Sequence, residues 1–156
     1  MPIRILLAMD DSESALRAVN LVADSFHSGS RVTLFNVGVD TAARFQRDSP
    51  AISPHFKARQ DRITALEEKR QGQVAAAMAR ARDRLRRAGF DTERVEIRVA
   101  PQKLGVARDI LAEARTGYDL VVMGRRGPAS VKGFFQDSVS ARVFTYAKDV
   151  AVLIAP

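Results

Sequence analysis

The sharpest chemical signal in the sequence is a pair of glycines, Gly124 and Gly127, enclosing Arg125 and Arg126. After nine residues, 128–136, come Asp137-Ser138-Val139-Ser140. Glycine lets backbone amides approach a phosphate closely, and a helix opening near Ser138 would add unpaired amides and a favourable dipole. Together these groups can cradle an anion. The same residues also have plainer uses: two glycines after a strand make a turn, and Asp137 or Ser138 caps a helix. A second group, Asp10-Asp11-Ser12, follows the apolar run Ile3-Arg4-Ile5-Leu6-Leu7-Ala8-Met9. There Asp10 is either a ligand-facing carboxylate or a loop acid at the end of a strand.

Other chemistries find little support. The chain has no cysteine, which removes thiolate metal sites, cysteine nucleophiles and disulfide scaffolds, and its two histidines, His27 and His55, suggest no zinc site. Ser138 lacks a G-x-S-x-G elbow and no catalytic base can be identified, so a binding protein is expected rather than an enzyme. The formal charge of +7 would attract nucleic acid, acidic lipid or a phosphorylated ligand without choosing among them. Arg80, Arg82, Arg84, Arg86 and Arg87 read as a solvated helix face, since no aromatic residue interleaves them for base stacking. No nucleic-acid partner is expected.

The elements that must position these residues follow from hydrophobic periodicity. Residues 3–9 read as a strand buried on both faces, followed by a helix that Asp11 or Ser12 caps and whose stripe runs Leu16, Val19, Ala23, Phe26. Residues 31–37 are β-branched and aromatic and predict a second strand. Periodicity then disappears from residue 38 to 60, a length that suggests a functional loop. A long helix is predicted over 61–88, with the stripe Ile63, Leu66, Val74, Met78, Ala81, Leu85 and a cap at Gly89. Residues 93–99 alternate as an edge strand would. Val106, Ile110, Leu111 and Ala114 mark a third helix closed by Gly117. A buried strand at 118–123, a helix at 138–147 and the strand Val150-Ala151-Val152-Leu153-Ile154 complete the chain.

Five strands alternating with four helices in 156 residues predict a single-domain (1–156) open, doubly wound α/β fold with a parallel sheet. If the chain winds one way through three strands and returns through two, the order is 3-2-1-4-5. Strands one and four then lie side by side, and their carboxyl ends form the crevice where such sheets bind ligands. It would be lined by residues 10–12 and 124–127. The short apolar start is no signal peptide and no run spans a membrane, so a cytoplasmic protein with no membrane contact is expected.

Gly124-x-x-Gly127, nine residues and Asp137-Ser138 resemble the nucleotide motif of the universal stress protein family, G-x2-G-x9-G-[S/T], with aspartate at the third glycine. The flanks agree: Ile5-Leu6-Leu7-Ala8-Met9-Asp10 with Ser12, Asp119-Leu120-Val121-Val122-Met123-Gly124, and Ser138-Val139-Ser140-Ala141-Arg142-Val143 through Val152-Leu153-Ile154. The likeness covers nearly the whole chain and is weakest over residues 40–60. It implies a five-stranded fold, a stress-response role, a homodimer through the last strand, and either an ATP-binding or a non-binding member. By position, Asp10 would meet the ribose beside Ala8 and Met9, and Val37 would lie against the adenine. Gly124, Gly127, Ser138, Val139 and Ser140 would hold phosphates, with Met123 and Arg126 beside them. Asp137 is the departure, because a carboxylate there competes for the helix amides and repels a phosphate by about 1 kcal/mol at 4 Å in water and about 4 at an effective dielectric of 20. The expected cofactor is therefore ATP or another adenine nucleotide, with or without Mg, bound more weakly than by the intact motif. Two alternatives are a dimeric protein-interaction module without nucleotide and a slow ATPase.

Overall fold

β1 (Arg4–Ala8) is the centre of the sheet, and Ile5, Leu6 and Leu7 are completely buried there. In the computed structural model, which describes residues 1–38, 53–125 and 138–156, β1 leads through α1 (Glu13–Ser25) to β2 (Arg31–Gly38). Next come α2 (Pro54–Arg87), a 3-10 turn at Thr92–Arg94, β3 (Val95–Pro101), α3 (Val106–Ala114), β4 (Leu120–Gly124), α4 (Val139–Tyr146) and β5 (Ala151–Ala155). The five strands are parallel in the order β3-β2-β1-β4-β5. Ile5 lies between Val32 of β2 and Leu120 of β4, so β1 hydrogen-bonds on both sides as the aliphatic run implied.

Alternation along the strands divides the core between two faces. Ile5, Leu7, Leu34 and Val122 meet α1 and α2, whereas Leu6, Phe35, Val121 and Met123 meet α3 and α4. Gly89 (φ 96°) and Gly117 (φ 111°) close α2 and α3 in the left-handed region that glycine enters freely. Among the described residues, no helix is long and apolar enough to cross a membrane.

The structure corrects several boundaries. α2 starts at Pro54, not near 61, because Ser53 caps it by accepting from the Phe56 amide and proline at the first position has a preset φ. The non-periodic stretch is shorter accordingly, and residues 39–52 of it lie outside the described residues. Only the second half of the expected stripe is buried. Val74, Met78, Ala81 and Leu85 are core, whereas Ile63 and Leu66 are 43% and 68% exposed. A helix of 34 residues spans about 50 Å, far more than strands of five to eight residues can cover. In α1, Leu16 is exposed and the buried arc is Ala15, Ala18, Val19, Val22 and Ala23, small side chains that let the helix approach the sheet closely. β3 begins at Val95 after a turn capped by Asp91, and Val99 is exposed on this outer strand. β5 runs one residue later than expected.

Candidate functional site

The chain crosses from one side of β1 to the other between β3 and β4, so the carboxyl ends of β1 and β4 diverge at a switch point. β1 runs out into Met9 and Asp10. Asp10 Oδ1 accepts from the Ser12 amide at 2.9 Å, a local turn that delivers the chain into α1. Ser12 then caps α1 by accepting from the Ala15 amide at 3.1 Å. The second Asp10 oxygen makes no hydrogen bond to the described residues, and the residue is half-buried.

Asn36 contributes a tie that the sequence reading missed. Its Nδ2 donates to the Met9 carbonyl at 2.7 Å, while the Met9 amide donates to the Phe35 carbonyl at 2.7 Å. The end of β1 is thereby held to β2. The available signal was a lone amide inside the otherwise apolar stretch of β2.

At the end of β4, Gly124 lies against the first turn of α1. A Cβ there would come within 2.4 Å of Ser14 Oγ and 2.5 Å of the Ser14 backbone, so no larger residue fits without moving α1. The glycine is required by packing whether or not a phosphate approaches it. Ser14 is itself buried and was not anticipated.

α4 opens at Ser138, whose Oγ accepts from the Ala141 amide at 3.1 Å and lies 3.0 Å from Ser140 Oγ. Ser140 Oγ donates to the Arg125 carbonyl at 3.1 Å, pinning α4 to the exit of β4. Each hydroxyl has one proton. With Ser140 donating to Arg125, Ser138 donates to Ser140, and neither keeps a proton for a ligand. The first-turn amides of Val139 and Ser140 have no intrahelical acceptor, and Ser140 itself is buried. The N-termini of α1 and α4 thus both open at this end of the sheet and place positive dipole ends there.

The other expected site residues sort by face. Val37 and Met123 are buried in the core beneath α3 and α4, where the partly buried Ala8 also packs. Met9 is buried in the opposite cluster. Val139 is 39% exposed and Arg125 is exposed. Arg126, Gly127 and Asp137 lie outside the described residues. An open hollow lined by Arg125, Ile154, Ala155 and Pro156 sits on the β5 side, away from Asp10 in its lining.

The whole architecture matches known proteins. Hypothetical protein MJ0577, whose biochemical function was assigned from structure, shares 20% identity over 99% of this chain and 96% of its own, with a TM-score of 0.72. The universal stress protein UspA from Lactobacillus plantarum shares 19% over 99% and 97%, with a TM-score of 0.69. A universal stress protein solved in complex with cAMP shares 23% over 99% and 96%, with a TM-score of 0.59. No curated protein matches the sequence significantly. The family model for the universal stress proteins matches residues 1–155, and the chain belongs to the universal stress protein family.

Proposed function

We propose that the chain is an adenine-nucleotide-responsive binding module whose ligand lies at the carboxyl ends of β1 and β4. One observation carries this reading: the strand order makes a switch point there, where such sheets bind ligands, with Asp10, Gly124 and the first turn of α4 beside it. The cAMP complex of a protein with the same fold adds support for an adenine ligand. In this reading Asp10 receives the ribose hydroxyls and Val37 backs the adenine. Phosphates are held by the amides of Val139 and Ser140 together with Gly124, Gly127 and Arg126, while Asp137 weakens the hold. The test is calorimetric titration with ATP, with and without magnesium. Asp137→Gly should tighten ATP by about ten- to a hundredfold, because removing roughly 1 to 3 kcal/mol of repulsion gives that ratio. Asp137→Asn should recover part of the gain. If Asp137 instead helps hold magnesium, both substitutions weaken magnesium-dependent binding. Unchanged affinity in both removes Asp137 from the site.

A second reading, a protein-interaction module without nucleotide, is favoured by the closed Ser138, Ser140 and Arg125 hydrogen-bond chain, which occupies both hydroxyls. Absence of ATP binding by the parent chain and by Asp137→Gly would select it. Both readings accommodate a homodimer. β5 is the outer strand of its side of the sheet, with Val152, Leu153 and Ile154 partly exposed, and an uncovered apolar edge invites pairing. Light scattering should show twice the monomer mass.

A further inference from the structure

β1 and β2 separate at Met9, and a side chain rather than the ladder spans the gap. In a parallel sheet a residue's amide and carbonyl face the same neighbouring strand, and the direction alternates along the chain. Phe35 faces β1, where its carbonyl accepts from the Met9 amide, and Gly38 faces β3, where its carbonyl accepts from the Gln102 amide at 2.8 Å. Val37 therefore faces β1 again, and the next rung would join its amide to the Met9 carbonyl. Among the described residues that rung does not form. The Met9 carbonyl instead accepts from Asn36 Nδ2 at 2.7 Å. Side chains alternate as well: Leu34 belongs to the core under α1 and α2, Phe35 and Val37 to the core under α3 and α4, so the half-buried Asn36 stands on the α1 and α2 side.

One peptide plane carries the Met9 carbonyl and the Asp10 amide, and it is trans. Holding the carbonyl toward β2 therefore points the amide away from β2, toward the end of β4 on the other side of β1. The Asp10 amide has no acceptor among the described residues, and Asp10 Oδ2 has no donor there. An unpaired donor beside an unpaired carboxylate oxygen suits two adjacent hydroxyls, one accepting from the amide and the other donating to the carboxylate. Resting on the nucleotide reading above, we propose that Asn36 is a positioning residue: by fixing the peptide between Met9 and Asp10 it aims Asp10 at the vicinal diol of the ribose, and so sets a preference for ribonucleotides without touching the ligand.

The experiment is calorimetric titration of the parent chain, Asn36→Leu and Asn36→Asp with ATP and with its dideoxy analogue, which lacks both ribose hydroxyls. Leucine removes the donor and packs against an apolar cluster, whereas aspartate keeps the shape and, ionised, cannot donate. The parent should prefer ATP by about tenfold or more. Both variants should weaken ATP by about tenfold and leave the dideoxy analogue within about twofold, so that the preference disappears. Thermal unfolding checks that Asn36→Leu stays folded should Asn36→Asp not. An equal loss for both nucleotides makes Asn36 a general structural tie, and unchanged ATP affinity in the folded variants shows that Asp10 is placed without it; either result overturns the assignment. A parent that binds both nucleotides equally well removes the diol contact, and the role of Asn36 with it, but leaves the nucleotide reading in place. A parent that binds neither overturns the nucleotide reading and the role of Asn36 together.

Discussion

The two ends of the sheet are built on opposite plans. Where the strands begin, side chains satisfy one another. The buried Tyr118 hydroxyl lies 3.0 Å from Thr33 Oγ1 and 3.2 Å from Glu113 Oε1. Glu113 also pairs with Arg98, which reaches Glu96 at 3.1 Å. The Arg4 guanidinium sits over the Tyr118 ring at 5.0 Å, and the Arg4 amide donates to Asp119 Oδ2 at 2.8 Å. Burial, the dominant influence, pushes the Tyr118 hydroxyl above its ordinary value, with the Thr33 hydrogen bond opposing. Where the strands end, short polar side chains turn the backbone instead: Asp10 to Ser12, Asn36 to Met9, Ser138 to Ala141. Those ties leave helix amides without partners. An end whose polar groups are mutually satisfied contributes stability, whereas an end that leaves main-chain donors open retains the capacity to bind.

The largest expected effect breaks the tight approach at the open end. Gly124→Ala places a methyl group inside the first turn of α1 and should cost about 1 to 3 kcal/mol. For a chain of this size each kcal/mol lowers Tm by about 2–4 °C, so thermal unfolding reads it directly. An unchanged Tm would show that α1 yields easily and that the approach is not a constraint. Next in size is Tyr118→Phe at the closed end, which strips the shared hydroxyl from Thr33 and Glu113 and should cost about 1–2 kcal/mol. Nucleotide affinity should not change. The variant also carries a pH signature. Because the folded-state tyrosine titrates above the unfolded value of 10.0, the native protein holds a proton that the unfolded chain releases. The parent therefore loses stability as pH rises above about 10, a loss that Tyr118→Phe should not share. Identical alkaline profiles from denaturant titrations would contradict this. The smallest effect sharpens the contrast: Ser138→Ala removes the α4 cap for about 1 kcal/mol. If phosphates rest on amides rather than hydroxyls, ATP affinity should then fall by less than about threefold, since the hydroxyl proton was already committed to Ser140. A hundredfold fall would return the hydroxyl to the ligand.

Much of the molecule was legible because it is encoded locally. Short aliphatic runs, amphipathic spacing and glycine closures are properties of neighbouring residues. Together with the handedness of crossovers they determine five parallel strands in the order 3-2-1-4-5 and a switch point between β1 and β4. The resemblance of residues 124–138 to the family's glycine motif is equally local, but Arg126, Gly127 and Asp137 lie outside the described residues. Other features depend on residues brought together only by folding. The hydroxyls of Tyr118 and Thr33 are 85 positions apart in sequence. Gly124 meets Ser14, and Asn36 meets Met9, across gaps that no spacing rule spans. Leu16, Ile63 and Leu66 satisfy the helical pattern and are nevertheless exposed. Periodicity specifies which face of a helix is apolar, but the extent of that face that becomes core is decided by the size and position of the surface it packs against.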